Sequence, residues 1–435
     1  MTVVTQAYRF ALAPTPAQRR GLASHCGAAR FAYNWGLALV KARLDDRANG
    51  SAVGVPWTLP SLRKEWNQAK GEVAPWWAEN SKEAYSSGLD ALARALANFS
   101  DSRAGRRAGR RAGFPRFKRK GRARDACRFT TGAIRVEPDR HHVTLPRLGT
   151  VKTHESTRKL ARRLEAGTAR VLSATISRTA DRWFVAFTVE ADRHLPEGNG
   201  QSSVVGVDVG VRHLAVVAGH PPEYVANPRA LARQQRALAR AQRTLARRRV
   251  ARLHARVASR RRDHLHKLTS RLAHDHHTVV VEDLHVAGMV RSRPLARAVA
   301  DAALAALRRQ LAYKTRWYGA RLVVAGRWYP SSKTCSGCGL VKTKLGLAER
   351  TFHCEGCGLA VDRDENAARN LAMLAVAASG AETQNARGPD LSPGLPGRRG
   401  RSGKPAPAAS RTSLAPSSSN RRPPEPSNLL KLRQR

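Results

Sequence analysis

Four of the six cysteines stand in two close pairs late in the chain. Cys335 and Cys338 lie in "CSGCG", and Cys354 and Cys357 lie in "CEGCG", so that the spacing is C-x2-C-x15-C-x2-C. Four thiolates brought together by two such turns form a closed tetrahedral site for Zn²⁺. A closed site leaves no position for a substrate, and we therefore expect a structural zinc. His353 is surplus to the four ligands and receives no ligand role.

Three carboxylates stand at the ends of apolar segments of this basic chain. Asp208 ends "VVGVD", Glu282 ends "VVVE", and Asp364 lies in "DRDEN" at the start of a predicted helix. If the three meet, they need a metal, because their repulsion would otherwise favour the protonated forms. Two Mg²⁺ ions about 4 Å apart, held by carboxylates, activate a water and stabilise the leaving oxygen in phosphodiester cleavage. The pattern therefore favours a metal-dependent nuclease.

Each carboxylate also has a simpler interpretation. Asp208 fits the phosphate-binding D-x-G turn of a kinase or ATPase of the sugar-kinase type. Glu282 fits a strand-end charge paired with an arginine, and Asp364 fits the favourable dipole at a helix N-terminus. The kinase would need a second Gly-rich loop of the "DGGG" kind, which the sequence lacks. The three carboxylates together, in this order, favour the nuclease.

The charge balance predicts a polyanionic partner. The chain has 78 Lys+Arg against 32 Asp+Glu, a formal net charge of +46, and such a field attracts nucleic acid or an anionic membrane from a distance. A membrane is the weaker candidate because the sequence has neither an apolar run of about 18 residues nor a secretory signal. Six cysteines in 435 residues also suit metal binding in a reducing compartment. We expect a soluble, cytoplasmic protein without a membrane partner.

A Gly-rich basic loop at residues 103–122, "RAGRRAGRRAGFPRFKRKGR", is the first candidate nucleic-acid surface. Interleaved cations and aromatic rings suit the neutralisation of phosphates and stacking on unpaired bases. A solvated flexible loop is the alternative interpretation of the two phenylalanines. The predicted contacts here are Arg106, Arg107, Arg110, Arg111, Phe114, Arg116, Phe117 and Lys118.

A basic helical hairpin over residues 229–275 is the second candidate surface. Leu231, Leu238 and Leu245 recur every seven residues, which predicts a narrow apolar seam between arginines. The stretch 229–249 has no acidic residue, so we favour phosphate contact over a merely solvated face. The predicted contacts are Arg233, Arg240 and Arg247.

The surrounding pattern alternates between strands and helices. Thr15, Pro16 and Gln18 form a predicted capping box before a helix with one apolar face. Cys26 lies on that face and is predicted to be a core residue. Residues 380–435 are rich in Pro, Ser, Gly and Arg without periodicity, which predicts a disordered basic tail. The further predicted elements are strands at 3–12, within 204–226, at 278–284 and at 320–326, a β-hairpin around "TAD" at 179–181, and helices at 295–318 and 364–378.

Several motifs together resemble one family. "YRFALAPTPAQ", "GVDVGVRHLAVV", "TVVVEDLHVAGM", "SSKTCSGCG" and "FHCEGCGLAVDRDENAARN" are similar to the TnpB (OrfB) proteins of bacterial insertion sequences, and the resemblance covers roughly residues 6–379. It implies a nuclease related to the type V CRISPR effectors. Such an enzyme uses a guide RNA from the element's own end and cuts double-stranded target DNA beside a short motif. Localisation would be the bacterial cytoplasm, with the protein nucleoid-associated.

The resemblance also implies roles and domains. Asp208, Glu282 and Asp364 would be the carboxylates of a RuvC-like site that binds Mg²⁺, with Asp364 chosen over Asp362 because the third acid of the family stands in "DENAA". Asp362 and Asn366 would support it. The implied fold class is α/β. Residues 1–200 would form a β-barrel wedge with a helical recognition insert (about 15–125), and residues 201–379 an RNase H-like (RuvC) nuclease domain with an inserted zinc ribbon at 331–360.

Two other functions stay open at this point. A non-catalytic nucleic-acid-binding or transposition-regulating relative would keep the basic surfaces, although all three carboxylates are intact in this sequence. A transposase acting alone would need a strand-transfer site for the element's ends, and the sequence reveals none. The oligomeric state is not indicated.

Overall fold

The computed structural model describes residues 2–193, 203–346 and 348–385. The last helix extends to Asn385, so residues 380–385 are helical where the disordered tail was expected to begin. The remainder of the predicted tail, residues 386–435, lies outside the described residues.

The N-terminal half combines an antiparallel sheet with a group of helices. Strand β1 is an edge of a sheet with the order β1-β7-β6-β2, and β3, β4 and β5 form a second, three-stranded sheet. A bridge between Leu12 and Thr153 joins the two sheets. The elements are β1 (Thr2–Leu12), α1 (Pro16–Ala48), α2 (Leu59–Val73), α3 (Lys82–Arg103), β2 (Ala126–Phe129), β3 (Arg135–Val136), β4 (His142–Leu145), β5 (Gly149–Lys152), α4 (Arg158–Glu165), β6 (Ala169–Thr179) and β7 (Arg182–Arg193).

The expected β-barrel is not confirmed. Both sheets are open in the part of the chain that the structure describes, with β1 and β2 as the edges of the larger one. Helices α1, α2 and α3 lie between β1 and β2 in the chain, within the range predicted for the helical insert.

The capping-box prediction at the start of α1 is confirmed. The Thr15 hydroxyl accepts a hydrogen bond from the Gln18 backbone N–H, and the Gln18 side chain accepts one from the Thr15 N–H. Cys26 is buried in the N-terminal core, as predicted. Helices α1 and α3 pack so closely that a Cβ on Gly88 would lie 2.1 Å from the Ala29 carbonyl oxygen.

The C-terminal half is built on a mixed sheet with the order β10-β9-β8-β11-β12. Its first three strands are antiparallel neighbours, whereas β11 runs parallel to both β8 and β12. This α/β arrangement agrees with the predicted fold class. The elements are β8 (Val204–Asp208), β9 (His213–Val217), β10 (Glu223–Ala226), α5 (Gln235–Arg243), α6 (Arg247–Asp275), β11 (Thr278–Glu282), α7 (Val286–Met289), α8 (Arg293–Ala302), α9 (Leu304–Tyr318), β12 (Arg321–Ala325), β13 (Thr351–His353), β14 (Ala360–Asp362) and α10 (Arg363–Asn385).

Helices cover both faces of this sheet. Because side chains alternate along a strand, Val205 and Val207 of β8 face α6 and α9 through a shared core. Val280 of β11 and Ala325 of β12 pack on the other side with Leu371 of α10. The central strands are therefore buried on both sides, which explains their continuous apolar sequences.

Two details of the helical predictions were wrong. The segment 295–318 forms two helices, because Ala303 adopts a left-handed conformation (φ 56°) between them. The heptad seam ends early: Leu238 is buried, but Leu245 is 83% exposed in the turn between α5 and α6. The hairpin itself is present, and its two helices pack through Leu238 and Leu253.

Candidate metal centres and nucleic-acid surfaces

The four predicted zinc ligands lie together. The sulfur atoms of Cys335, Cys338, Cys354 and Cys357 are all within 4.8 Å of one another. The closest sulfur pairs are Cys335 with Cys357 at 3.6 Å and Cys338 with Cys354 at 3.5 Å. A tetrahedral zinc with Zn–S bonds of about 2.3 Å separates its sulfurs by about 3.8 Å. The donor set and its spacing therefore fit Zn²⁺.

The two Cys-x-x-Cys turns have the same local structure. In the first, the Gly339 N–H donates to the Cys335 carbonyl, and in the second the Gly358 N–H donates to the Cys354 carbonyl. Both glycines have positive φ, 80° and 73°, which a residue with a side chain adopts only at a cost. Hydrogen bonds from the Cys357 and Gly356 N–H groups lower the pKa of the Cys354 thiol to about 6. These hydrogen bonds favour the thiolate at Cys354. At Cys357 a backbone hydrogen bond from Leu359 acts in the same direction, but the hydrogen bonds with the other three sulfurs outweigh it and raise the pKa of Cys357 to about 12.

Two asparagines of α10 tie this zinc ribbon to the helix. The Asn366 side chain is fully buried, accepts from the Ser336 N–H at 2.9 Å and donates to the Thr334 carbonyl at 2.7 Å. Asn370 donates to the carbonyls of Ser331 and Thr334. Asn366 thus connects the ribbon to the helix, and its predicted role in supporting Asp364 stays a prediction.

Asp362 ends the ribbon and begins the helix. As the last residue of β14, it accepts hydrogen bonds from the backbone N–H groups of Asp364 and Glu365 at 2.9 and 3.3 Å. These are the contacts of an N-cap residue, which satisfies the otherwise unpaired N–H groups of the first turn. Asp362 therefore has a structural task, and Asp364 follows it inside the first turn.

Asp208 and Glu282 end neighbouring parallel strands. Val207 of β8 pairs with Val281 of β11, so the two carboxylate residues come next on adjacent strands. Parallel strands lie about 4.8 Å apart, and residues in register project to the same face. The face is that of α10, because Val280, two residues before Glu282, packs on Leu371 of that helix.

Asp364 is brought to the same edge by a close helix–strand contact. A Cβ on Gly206 of β8 would lie 1.9 Å from the Ala368 carbonyl oxygen and 2.5 Å from the Ala372 nitrogen. Only glycine allows α10 to approach so closely. Asp208 follows Gly206 by two residues along the strand, and Asp364 precedes Ala368 by one helical turn. The contact therefore aligns the two carboxylates.

The pKa of Asp208 is affected by the other two carboxylates. Burial first, and then the carboxylates of Glu282 and Asp364, raise the pKa of Asp208 well above its ordinary value. Burial and a hydrogen bond to Glu365 likewise raise the pKa of Tyr224 to about 12. Arg363 opposes the shift at Asp208 but does not cancel it, and a group of carboxylates whose charge is compensated only in part is suited to a cation.

The three carboxylates are less tightly grouped than the cysteines. Within the described residues, the cysteines are the only set of possible ligands whose donor atoms all lie within 4.8 Å of one another. Glu282 accepts a short hydrogen bond from the Ser331 hydroxyl, and Asp364 is 3.2 Å from the Arg363 guanidinium. The oxygen donors of the three carboxylates are of the kind that Mg²⁺ prefers.

A cleft of about 710 Å³ opens beside Glu282. Its lining includes Arg308, Arg309 and Arg327. Two of these arginines are held by Asp283, which bonds Arg308 and lies 2.9 Å from Arg327; the two hydrogen bonds lower the pKa of Asp283. The cleft thus combines guanidinium groups with one end of the carboxylate cluster.

The basic loop at 103–122 divides into packed and exposed side chains. Phe114 packs edge-to-face on Phe99 with ring centroids 5.2 Å apart and belongs to the N-terminal core. The Lys118 ammonium lies 3.7 Å from the centre of the Tyr33 ring, and burial lowers the pKa of Lys118 to about 8. In contrast, Phe117 is 48% exposed. Of the two phenylalanines, Phe117 is the one available for stacking.

The predicted arginines of this loop are exposed. Arg106 is paired with Asp101 at 2.8 Å, and Arg107 donates to the Arg110 carbonyl. Arg110, Arg111 and Arg116 are exposed as well.

The hairpin arginines keep their charge available. Arg233, Arg240 and Arg247 are all exposed, and none has an ion pair within the residues that the structure describes. The hairpin is anchored at its start by Asp301, which is buried, accepts from the Leu231 N–H at 2.9 Å and pairs with Arg261 at 2.9 Å. No simple sequence signal marked Asp301, since its partners are 40 and 70 residues away.

Comparisons with known proteins agree with these features. Three family models match: a "Helix-turn-helix domain" of OrfB at residues 1–47, the OrfB "Probable transposase" at 186–293, and the "Cas12f1-like, TNB domain" at 305–371. In residues 1–47 the structure has strand β1 and most of the single uninterrupted helix α1 rather than two helices. The third match contains all four zinc-ligand candidates and Asp364.

Whole-chain relatives are also found. A protein of Mycobacterium tuberculosis named "Putative RNA-guided DNA endonuclease" is 44% identical over 84% of this chain and 86% of its own length. InsQ of Escherichia coli, with the same description, is 29% identical over 88% of this chain and 96% of its own length. A solved Cas12f1–sgRNA–target DNA complex gives a TM-score of 0.46 at 14% identity, covering 85% of this chain and 99% of that one. The family models and the long match to the mycobacterial protein establish that the chain belongs to the TnpB (OrfB) family.

Proposed function

We propose that this protein is an RNA-guided DNA endonuclease of a transposable element. The names of its relatives support this activity. The observation that carries the proposal is the contact of α10 with Gly206, which aligns Asp364 with Asp208 at the strand edge that also holds Glu282. Three carboxylates from two strand ends and one helix start form a set that divalent cations can compensate.

Asp208, Glu282 and Asp364 would hold the catalytic Mg²⁺. When bound there, the metal supplies an activated water and charge stabilisation for the leaving oxygen of the phosphodiester. The protein's own part is to fix the three carboxylates: β8 and β11 set Asp208 and Glu282, the Ser331 hydroxyl orients Glu282, and Asp362 caps the turn that bears Asp364.

The cysteine cluster would hold structural Zn²⁺. Because the site is closed, it contributes no chemistry of its own. Its role is to hold the ribbon that ends at Asp362 and is bonded to Asn366 and Asn370 of α10. Zinc binding would thus support the position of Asp364 from outside the sheet.

The domain division follows the same logic. Residues 1–200 would form the wedge with a helical recognition insert, supported by the position of α1 to α3 between β1 and β2. Residues 201–379 would form the RuvC-like nuclease domain. The guide RNA and the double-stranded target would contact Phe117 and the arginines of the loop, together with Arg233, Arg240 and Arg247 of the hairpin. The protein would recognise the shape and backbone of these nucleic acids, and base pairing with the guide would recognise the target sequence. Nucleoid association would follow from this binding.

The test is cleavage by the copurified protein–RNA complex. Target DNA beside the adjacent motif should be cut with Mg²⁺ and left intact with a chelator. Asp208→Ala should remove cutting while the complex still binds its target, and Asp46→Ala, a change of an exposed aspartate on α1, should cut normally. Equal residual cutting by wild type and Asp208→Ala, with binding intact in both, would leave a non-catalytic binding or regulating protein as the function.

A further inference from the structure

Trp328 is the most exposed large hydrophobic residue among those the structure describes, at 89%. The chain has eight tryptophans, and the other seven are packed against neighbours. Trp317 lies against Tyr313 with ring centroids 4.6 Å apart. The remaining six belong to the N-terminal core or pack on it: Trp35, Trp57, Trp66, Trp76, Trp77 and Trp183.

The residues on both sides of Trp328 are bonded to the rest of the fold. The preceding Arg327 is held by Asp283 at 2.9 Å. The following Tyr329 donates from its hydroxyl to the Asn370 carbonyl at 3.2 Å and from its N–H to the Gly326 carbonyl at 2.9 Å. The indole is therefore presented to solvent from an ordered segment between β12 and the zinc ribbon.

The carboxylate cluster is within reach of this indole. Ser331, three residues after Trp328, bonds Glu282. Three residues span at most about 10 Å, which is roughly three base steps of a stacked strand at about 3.4 Å each. A strand whose phosphate lies at the carboxylates thus has bases within range of Trp328.

The surrounding charge suits a single strand. Arg308, Arg309 and Arg327 line the cleft next to Glu282, and two of them share the single carboxylate of Asp283, so the positive charge there exceeds the charge of that carboxylate. Cations that follow a backbone, combined with an aromatic ring for the bases, are the usual elements of single-strand binding. Within the described residues no ring contact involves Trp328, and the residue is 89% exposed; an unpaired base would provide a stacking partner.

We propose that Trp328 is a stacking platform for an unpaired base of the DNA strand being cut, and that it positions the neighbouring phosphate at the carboxylates. The proposal deepens the nuclease function proposed above and rests on it. Removing the stacking of one base on an aromatic side chain typically weakens the interaction about 5- to 150-fold. Because base pairing with the guide already holds the target, this effect should appear in the cleavage rate and leave target affinity unchanged.

The test compares Trp328→Ala with Trp328→Phe in single-turnover cleavage by the intact protein–RNA complex. Trp328→Ala should cut about 5- to 150-fold more slowly, and Trp328→Phe should recover most of the rate because it keeps an aromatic face. Leu295→Ala, which truncates another exposed apolar side chain, should cut like wild type. Zinc content and melting temperature should be the same in all three variants.

Abasic substitution gives the decisive measurement. A single abasic nucleotide is moved along the cut strand near the cleavage position. Wild type should lose rate at one position, and Trp328→Ala should lose no further rate there, since the two changes remove the same contact. The stacking role is wrong if the rate losses from Trp328→Ala and from the abasic nucleotide multiply at every position of that nucleotide. It is also wrong if Trp328→Ala cuts at the wild-type rate. If wild type itself fails to cut, the nuclease proposal fails instead.

Discussion

Substitution of Gly206 by alanine tests the geometry on which the candidate active site depends. The added Cβ would lie 1.9 Å from the Ala368 carbonyl oxygen, whereas ordinary contacts begin at 3.4 Å. The neighbour is helix backbone, which cannot rotate away as a side chain can. Helix α10 must therefore move outward by about 1.5 Å, and Asp364 moves with it.

The expected result is a severe loss of cleavage with a smaller loss of stability. A misplacement of about 1 Å in a catalytic arrangement can reduce the rate about 100-fold. Overpacking at a well-packed contact typically costs about 1–3 kcal/mol in the free energy of unfolding. Gly206→Ala should thus fold, retain zinc and bind its RNA, while its single-turnover cleavage rate falls about 100-fold or more.

Gly71→Ala is the matched control. Gly71 lies inside helix α2, and a Cβ there would meet nothing within 4 Å. Alanine is favoured over glycine in a helix by about 1 kcal/mol, so this variant should be as stable as wild type or slightly more stable, and fully active. A Gly206→Ala protein that cuts at the wild-type rate would show that α10 does not hold Asp364 against β8.

Three further outcomes are expected. Cys354→Ser should lower the zinc content below one ion per chain, measured by metal analysis, and reduce cleavage because the ribbon no longer holds the start of α10; normal zinc would refute the ligand role. Asp362→Ala should lower the free energy of unfolding by about 0.5–2 kcal/mol, because it removes a helix cap, and should leave measurable cleavage. Asp364→Ala should leave no cleavage; if instead Asp362→Ala abolished cleavage and Asp364→Ala did not, Asp362 would be the catalytic carboxylate. The Lys314 ammonium donates to the backbone carbonyl of His266 and to the hydroxyls of Thr269 and Ser270, and burial lowers the pKa of Lys314 to about 8. Above pH 8 the unfolded chain therefore binds more protons than the folded protein does. The stability of wild type should therefore rise relative to Lys314→Met as the pH increases from about 8 to 10, by on the order of 1–2 kcal/mol in denaturant titrations once solvent screening is allowed for; parallel curves would show that burial does not lower the pKa of Lys314.

Sequence reasoning succeeded where the signal was local. The capping box at Thr15 required only four neighbouring residues, and the strands that end at Asp208 and Glu282 are short apolar runs of the kind buried in parallel sheets. The Cys-x-x-Cys turns are equally local. Each of these predictions depends on backbone chemistry within a few residues, and tertiary packing did not overrule it.

The errors came from long-range packing. Leu245 continues the heptad pattern in the sequence. In the structure α5 ends at Arg243 and α6 begins at Arg247, so Leu245 lies in the turn between them and is exposed. Ala303 separates α8 from α9 because it adopts a left-handed conformation, which alanine seldom does. No Gly, Asn or Pro stands at this position to indicate a break in the helix. The contact of Gly206 with Ala368 spans more than 160 residues of sequence. Such contacts depend on the assembled fold and leave no local pattern.

The acidic residues beside the zinc ribbon make different contacts. Asp362 satisfies the first N–H groups of α10, and Glu365 is buried between Tyr224 and Arg369. Both carboxylates are thus occupied in holding the helix. Asp364 lies between them on the turn that faces Asp208, and it is the one that raises the pKa of Asp208 most strongly after Glu282. The Arg363 guanidinium, 3.2 Å from Asp364, opposes the rise in the pKa of Asp208, and the N-terminus of α10 also favours a carboxylate there. Burial, Glu282 and Asp364 still raise the pKa of Asp208 well above its ordinary value. The Mg²⁺ ions proposed above would offset this remaining repulsion.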